Sequence, residues 1–346
     1  MKYLLGNEKI FYDFVKSIKK EDKVAIISHN DFDGVAAIVF LEKILNSQKI
    51  KSDLIYFSTY SEDMFDKHFE EMKKKKISKV FVVDIQADNA APKGFENLRN
   101  DFDVFWIDHH PLIEGSSYEK TLKTSTPDCT TLVLFNLAEH YFDISDLNWI
   151  VCAGIVADWG FRNPENMNYV KKLYPNFNEN DLKTSEIGKI VIIVNDSLIY
   201  YRHKEKKVFD ALMKKDLASL EKVAKEVDKE LQKVVDNYFK KAEFYPKKDL
   251  YFHYENPKFH LVSSVSSIVS MKDFGKTFIF ASDIENGIVK ISARNQSGKV
   301  DLGKLMKKCI EGFDSSVGGG HIYAASASFM KKDLQKFKER LLNNIN

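Results

Sequence analysis

The sequence runs to 346 residues, too long for one typical domain and comfortable for two, and its 44% hydrophobic and 29% charged residues describe a globular protein with a sizeable core. The formal net charge of +2 neither demands nor excludes a local basic patch that grips long nucleic acid. Three distant cysteines, Cys129, Cys152 and Cys309, leave one unpaired under any scheme, which speaks against a disulfide framework and for a reduced, cytoplasmic setting. The N-terminus lacks the apolar core of a signal peptide and no stretch approaches a membrane span, so no membrane partner is expected.

In chain order, a helix near Glu8 to Lys20 leads into VAIISHNDFDGVAA, residues 24–37, an apolar run that ends in His29, Asp31, Asp33 and Gly34. That pattern predicts a buried parallel strand opening into a loop and a helix. The polar residues then sit at the strand's carboxyl end, where open α/β sheets bind ligands. They read either as a metal cradle or as a polar cap, with Asp33 capping the helix that follows. Helix 35–45, strand 53–57, helix 62–75, strand 79–84, helix 92–99 and strand 104–108 follow, alternating as a doubly wound parallel sheet does. The second of these strands ends in Asp84 and the third in Asp108, His109 and His110, so three strands of one chain terminate in carboxylate or imidazole. These are the ligand types that suit divalent metals.

After His110 the pattern turns helical, and LNWIVCAGIVADW places Asp158 at the end of an apolar helix. A carboxylate in such company needs a partner, and a buried salt bridge, a cap or a metal would each serve. The chain divides into a first domain over 1–185, a helical linker over 186–244 and a smaller mixed α/β domain over 245–346. In the last, strands are expected at 250–253, 259–262, 277–281, 288–293 and 322–329, with helices at 302–310 and at the C-terminus. Gly318, Gly319 and Gly320 before His321 make either a tight turn or a close backbone approach to an anion, and Arg294 offers a planar bidentate donor for phosphate. Gly275-Lys276-Thr277 imitates the end of a P-loop, but Ser270 stands where its first glycine belongs, which excludes an NTPase.

HNDFDG, the isolated Asp84, DHH at 108–110 and the distant GGGH at 318–321 together resemble the DHH phosphoesterases that carry a DHHA1 domain, over nearly the whole chain. The resemblance implies a two-lobed α/β fold in which His29 and Asp31 hold one metal, Asp33, His109 and Asp158 hold another, and Asp84 bridges them. It implies two manganese ions, with magnesium or cobalt as substitutes, that activate a shared water and offset charge on a phosphoryl group. His110 would face the substrate, with Asp108 orienting the histidine pair by hydrogen bonding. Gly318, Gly319, Gly320, His321 and Arg294 would bind substrate.

The implied activity is phosphodiester hydrolysis of short oligonucleotides or of linear or cyclic dinucleotides to 5′-mononucleotides. The first motif is spaced His-x-Asp-x-Asp, as in RecJ-like members, which keeps a single-stranded DNA or RNA exonuclease as the alternative. DFDGV also resembles a haloacid dehalogenase motif, with Asp31 as nucleophile, and the inactive Cdc45 scaffold is a further option. The oligomeric state is open, a homodimer included.

Overall fold

The computed structural model describes residues 1–113, 115, 117–125 and 127–345, in two compact units, Met1–Ala224 and Lys225–Asn346. The first unit is built on a six-stranded sheet of β1 (Tyr3–Leu5), β2 (Val24–His29), β3 (Ser52–Ser58), β4 (Lys79–Val83), β5 (Asp103–Asp108) and β6 (Thr121–Thr124). Its order is β1-β6-β5-β4-β2-β3. The strands from β2 to β6 run parallel, and β1 lies antiparallel to β6 at the edge. Along β2, Val24 and Ile26 enter one buried cluster while Ala25 and Ile27 enter another. The two-residue period of a strand thus feeds cores on both faces, which is why the run reads as continuously apolar. The chain leaves β2 for β3 on one side and returns to β4 on the other, so the order reverses between β2 and β4. Ligands of doubly wound sheets bind outside the carboxyl ends of the strands at such a reversal.

Helices Glu186–Tyr200 and Lys206–Met213, which the sequence reading assigned to a linker, add Val191, Val194, Val208 and Leu212 to the first unit's core. Helix Leu217–Lys241 continues from one unit into the next. The second unit holds β7 (Glu243–Tyr245), β8 (Leu250–Tyr254), β9 (Thr277–Asp283), β10 (Ile288–Asn295), β11 (Val317–Gly320) and β12 (Ala324–Met330), in the order β11-β12-β10-β9-β8-β7. Among the described residues of this unit, only β8 and β9 pair in parallel.

One expectation is corrected here, and one of two alternatives is decided. The strand expected at 259–262 is absent, and a helix, Val262–Ser270, begins there instead. Its buried residues Val262, Val265, Ser266 and Val269 recur at helical spacing, but a serine among them breaks the apolar signal. The glycine run is no turn. It forms edge strand β11 against β12. The three cysteines are buried and free. Among the described residues, no helix is long and apolar enough to cross a membrane.

Candidate metal centre

The carboxyl ends of β2, β4 and β5 supply the polar side chains. Asp31 caps helix Phe32–Ser47, accepting a hydrogen bond from the Gly34 amide at 3.1 Å. Gly34 is obligatory, because a Cβ there would stand 2.3 Å from the carbonyl oxygen of His29. Its absence lets the helix begin directly on the end of the strand. Asp33 does not cap its own helix. Its two oxygens accept the amides of Thr130 and Thr131 at 2.7 and 2.8 Å, which seats it on the N-terminus of helix Thr130–Ala138.

Asp84 follows β4 in a left-handed conformation with φ +58°, and its amide donates to Ile107 on the neighbouring strand at 2.9 Å. Helix Asn148–Ala157 ends at Asp158 as its C-cap. The structure therefore gathers His29, Asp31, Asp33, Asp84, His109 and Asp158, which come from four separate stretches of chain.

They form two sets around one shared carboxylate. Asp84 Oδ1 lies 3.4 Å from His109 Nε2, which is also 3.5 Å from Asp158 Oδ2 and 3.8 Å from Asp33 Oδ2. The other oxygen, Asp84 Oδ2, lies 3.9 Å from His29 Nδ1, itself 2.9 Å from Asp31 Oδ2 without hydrogen-bond alignment. Three-residue groupings able to hold an ion are accordingly His29, Asp31 and Asp84 on one side and Asp33, His109 and Asp158 on the other, with Asp84, His109 and His110 as a third. The Nδ1 atom of His109 is buried and has no hydrogen-bond partner among the described residues.

Electrostatics point the same way. Burial raises the Asp84 carboxyl well above the usual range, and Asp33 and Asp31 raise it further. Burial, then Asp33, pushes Asp158 up to about 8. Burial opposes charge on His109, yet Asp84, Asp33 and Asp158 outweigh it and push the imidazole up to about 11. Asp84 and Asp158, crowded with other carboxylates around two imidazoles, hold protons where cations would relieve the repulsion, and a mixed N/O set of this kind fits divalent metals.

A pH dependence follows. A carboxyl raised to about 8 is mostly protonated at neutral pH, and a metal must displace that proton. Metal affinity is expected to rise with pH through neutrality and past about 8, because the proton on His109 must be displaced as well, with protons released at pH 7, as read by calorimetry in buffers of different ionisation enthalpy. Binding without proton release would contradict the crowding.

Asp108 stands outside this cluster. Fully buried, it accepts from His110 Nδ1 at 2.7 Å and from Lys123 Nζ. It thus orients His110, whereas the expected contact with His109 is not made. His110 Nε2 lies 3.3 Å from the hydroxyl of Tyr60. The sequence reading missed Lys123, Tyr60, Thr131 and Thr130, whose hydroxyl donates to Asp84 at 2.9 Å. Only Tyr60 had a usable signal, as an aromatic in the polar run just after β3.

The residues expected to bind substrate form their own group in the second unit. Arg294 pairs in register with Ala324, and Gly320 with Ala325, so the arginine and the glycine strand share one end of the sheet. Arg294 Nε donates to Ser267 at 3.2 Å, and burial lowers its pKa. Gly320 has φ +137°, and a Cβ there would meet the Ala324 carbonyl at 2.5 Å. His321 is exposed, and its amide donates to Ala324 at 2.8 Å to close the hairpin.

Residues 23–157 match the DHH family, N-terminal domain, and residues 260–346 match the DHHA1 domain. These matches take in most of the chain, which belongs to the DHH/DHHA1 family. No curated protein matches it significantly in sequence. Among solved structures, an exonuclease RecJ bound to manganese is 13% identical with a TM-score of 0.70, covering 96% of this chain and 92% of the other. A DHH-domain protein described as a member of a family of ribosomal proteins is 17% identical at 0.69, over 97% and 89%. Cdc45 from Entamoeba histolytica is 10% identical at 0.61, over 97% and 98%. At these identities the likeness is one of fold.

Proposed function

We propose that the chain is a metal-dependent phosphodiesterase that hydrolyses short oligonucleotides or dinucleotides to 5′-mononucleotides. The observation that carries this reading is Asp84, whose two oxygens face two different imidazole and carboxylate sets. His29 and Asp31 would hold one divalent ion, Asp33, His109 and Asp158 a second, with Asp84 between them. Manganese suits this set, and magnesium or cobalt would also fit. Such a pair supplies Lewis acidity and activates water for attack on phosphorus.

The chain's own residues do the rest. Thr130 and the amides of Thr130 and Thr131 hold two of the carboxylates in place, and Asp108 aims His110 toward solvent as a donor to a phosphoryl oxygen or leaving group. Arg294, Gly318, Gly319, Gly320 and His321 are proposed to take a phosphate or base of the nucleotide.

The first test is a substrate panel from cyclic and linear dinucleotides through short RNA to long single-stranded DNA, assayed with manganese and again with chelator. Turnover that vanishes with chelator and returns with manganese is expected. A trappable phosphoaspartyl enzyme at Asp31 would instead favour the dehalogenase reading, and activity on no member would leave the scaffold reading.

A RecJ-like exonuclease is the second reading, favoured by the His-x-Asp-x-Asp spacing of the first motif. The two differ in length dependence. Because the lysines fall mostly in helical faces alongside acids and the net charge is only +2, short substrates are expected to be preferred, with a shallow salt dependence because few counterions are released. Efficiency that climbs steadily with strand length, together with a steep salt slope, would promote the exonuclease.

A further inference from the structure

Lys123 has no task in the chemistry above, yet its ammonium is fully buried. It is the cross-strand partner of Asp108, on β6 beside β5, and its Nζ donates to Asp108 Oδ2. The same ammonium lies 4.5 Å from the ring centroid of Trp106, whose indole N–H donates to Ile85 at 2.8 Å. The other oxygen of Asp108 accepts from His110 Nδ1 at 2.7 Å, and His110 Nε2 stands 3.3 Å from the hydroxyl of Tyr60. Tyr60 is 44% exposed, with its ring 4.8 Å from that of His29. Four side chains thus form a line from an ammonium shielded from water to a phenol in water, and the line passes one residue from His109.

A buried ammonium costs several kcal/mol unless its geometry is well satisfied, so simple packing at this strand position would favour an apolar side chain. What the lysine adds is a fixed counter-charge for Asp108. A carboxylate held between the two strands has one orientation, and it then gives His110 Nδ1 one acceptor in one place.

We propose that Lys123 is a positioning residue for the phosphoryl chemistry. Paired with Asp108, it locks the His110 imidazole so that Nε2 and the Tyr60 hydroxyl stand together at the solvent edge of the carboxylate cluster. The kinetic consequence rests on the phosphodiesterase reading, whereas the orientation of His110 does not.

The test has two arms. In proton NMR of the metal-free protein, the His110 Nδ1 proton should give a low-field resonance, identified by its loss in His110→Ala, retained in Tyr60→Phe, and lost or exchanging faster in Lys123→Met. In turnover, Lys123→Met should lower kcat by about 10–100-fold with little change in KM. It should cost nothing further in a His110→Ala background.

Should Lys123→Met fail to fold, the double change Lys123→Met with Asp108→Asn removes both charges and keeps an amide oxygen for Nδ1. That variant should fold and still show the kcat deficit. An unchanged resonance in folded Lys123→Met, losses that multiply with His110→Ala, or normal kcat in the double variant would overturn the proposal. If no substrate is turned over, the phosphodiesterase reading fails while the resonance still decides the role of Lys123.

Discussion

Replacing Asp84 with Asn is expected to lower turnover by about a thousand-fold, the equivalent of roughly 4 kcal/mol of lost transition-state stabilisation, while making the metal-free protein more stable. The loss follows from its place, because one carboxylate serves both ligand sets and an amide is a poor replacement for either. The gain follows from the sign of its titration. Burial, Asp33 and Asp31 raise the folded-state pKa of Asp84, so above the usual carboxylate range the ionised group opposes folding.

Asn removes that charge and keeps an oxygen for the Thr130 hydroxyl. The stability gain should be large at about pH 8 and vanish near pH 3, where the carboxyl is protonated in folded and unfolded chains alike. Thermal melts with chelator at both pH values, beside kcat with manganese, read the two effects separately. Near-normal turnover would remove the shared-carboxylate assignment, and equal melting temperatures at pH 8 would contradict the repulsion.

Asp33 and Asp158 face the same imidazole but should differ in what their loss does to the fold. Asp33 accepts two amides at the start of helix Thr130–Ala138, so Asp33→Ala removes a helix cap as well as a ligand and should cost about 1–2 kcal/mol of stability. Asp158 is 29% exposed in its side chain, and burial beside Asp33 raises it to about 8, so its charge already weighs against folding above the usual carboxylate range. Asp158→Ala should therefore leave the metal-free protein as stable as before or more so at about pH 8. Both changes should depress manganese-dependent activity by two orders of magnitude or more, roughly 3 kcal/mol. Denaturant melts in chelator discriminate the pair, and equal destabilisation by both would show that Asp33 does not act as a cap.

The parts of this picture legible in the sequence are those where one segment carries its own signal. Strands β2, β4 and β5 announce themselves because burial on both faces demands unbroken apolar runs, and the acids that end them stand out against those runs. What escaped depends on partners distant in sequence. Strand β6, Thr-Leu-Lys-Thr, is wholly buried yet three of its four residues are polar, so hydropathy gives no hint that Lys123 pairs with Asp108. The alternative reading of Asp33 as a cap places it on the helix beside it, because local sequence cannot reveal that a helix nearly a hundred residues on starts against it. Helix Val262–Ser270 was misjudged because part of its buried face is serine, with Ser266 bonded to Ser292 at 2.8 Å rather than packed as an apolar side chain. The nearness of Arg294 to the glycine strand is a matter of register across three strands, which no single stretch encodes.

The most direct measurement is manganese titration of the wild-type chain at about pH 8, followed by calorimetry and by electron paramagnetic resonance. Two ions bound per chain, with the exchange-coupled spectrum of a pair joined through a shared carboxylate, is the result expected from the position of Asp84. A single ion, or two ions that give only the spectra of isolated manganese, would contradict it.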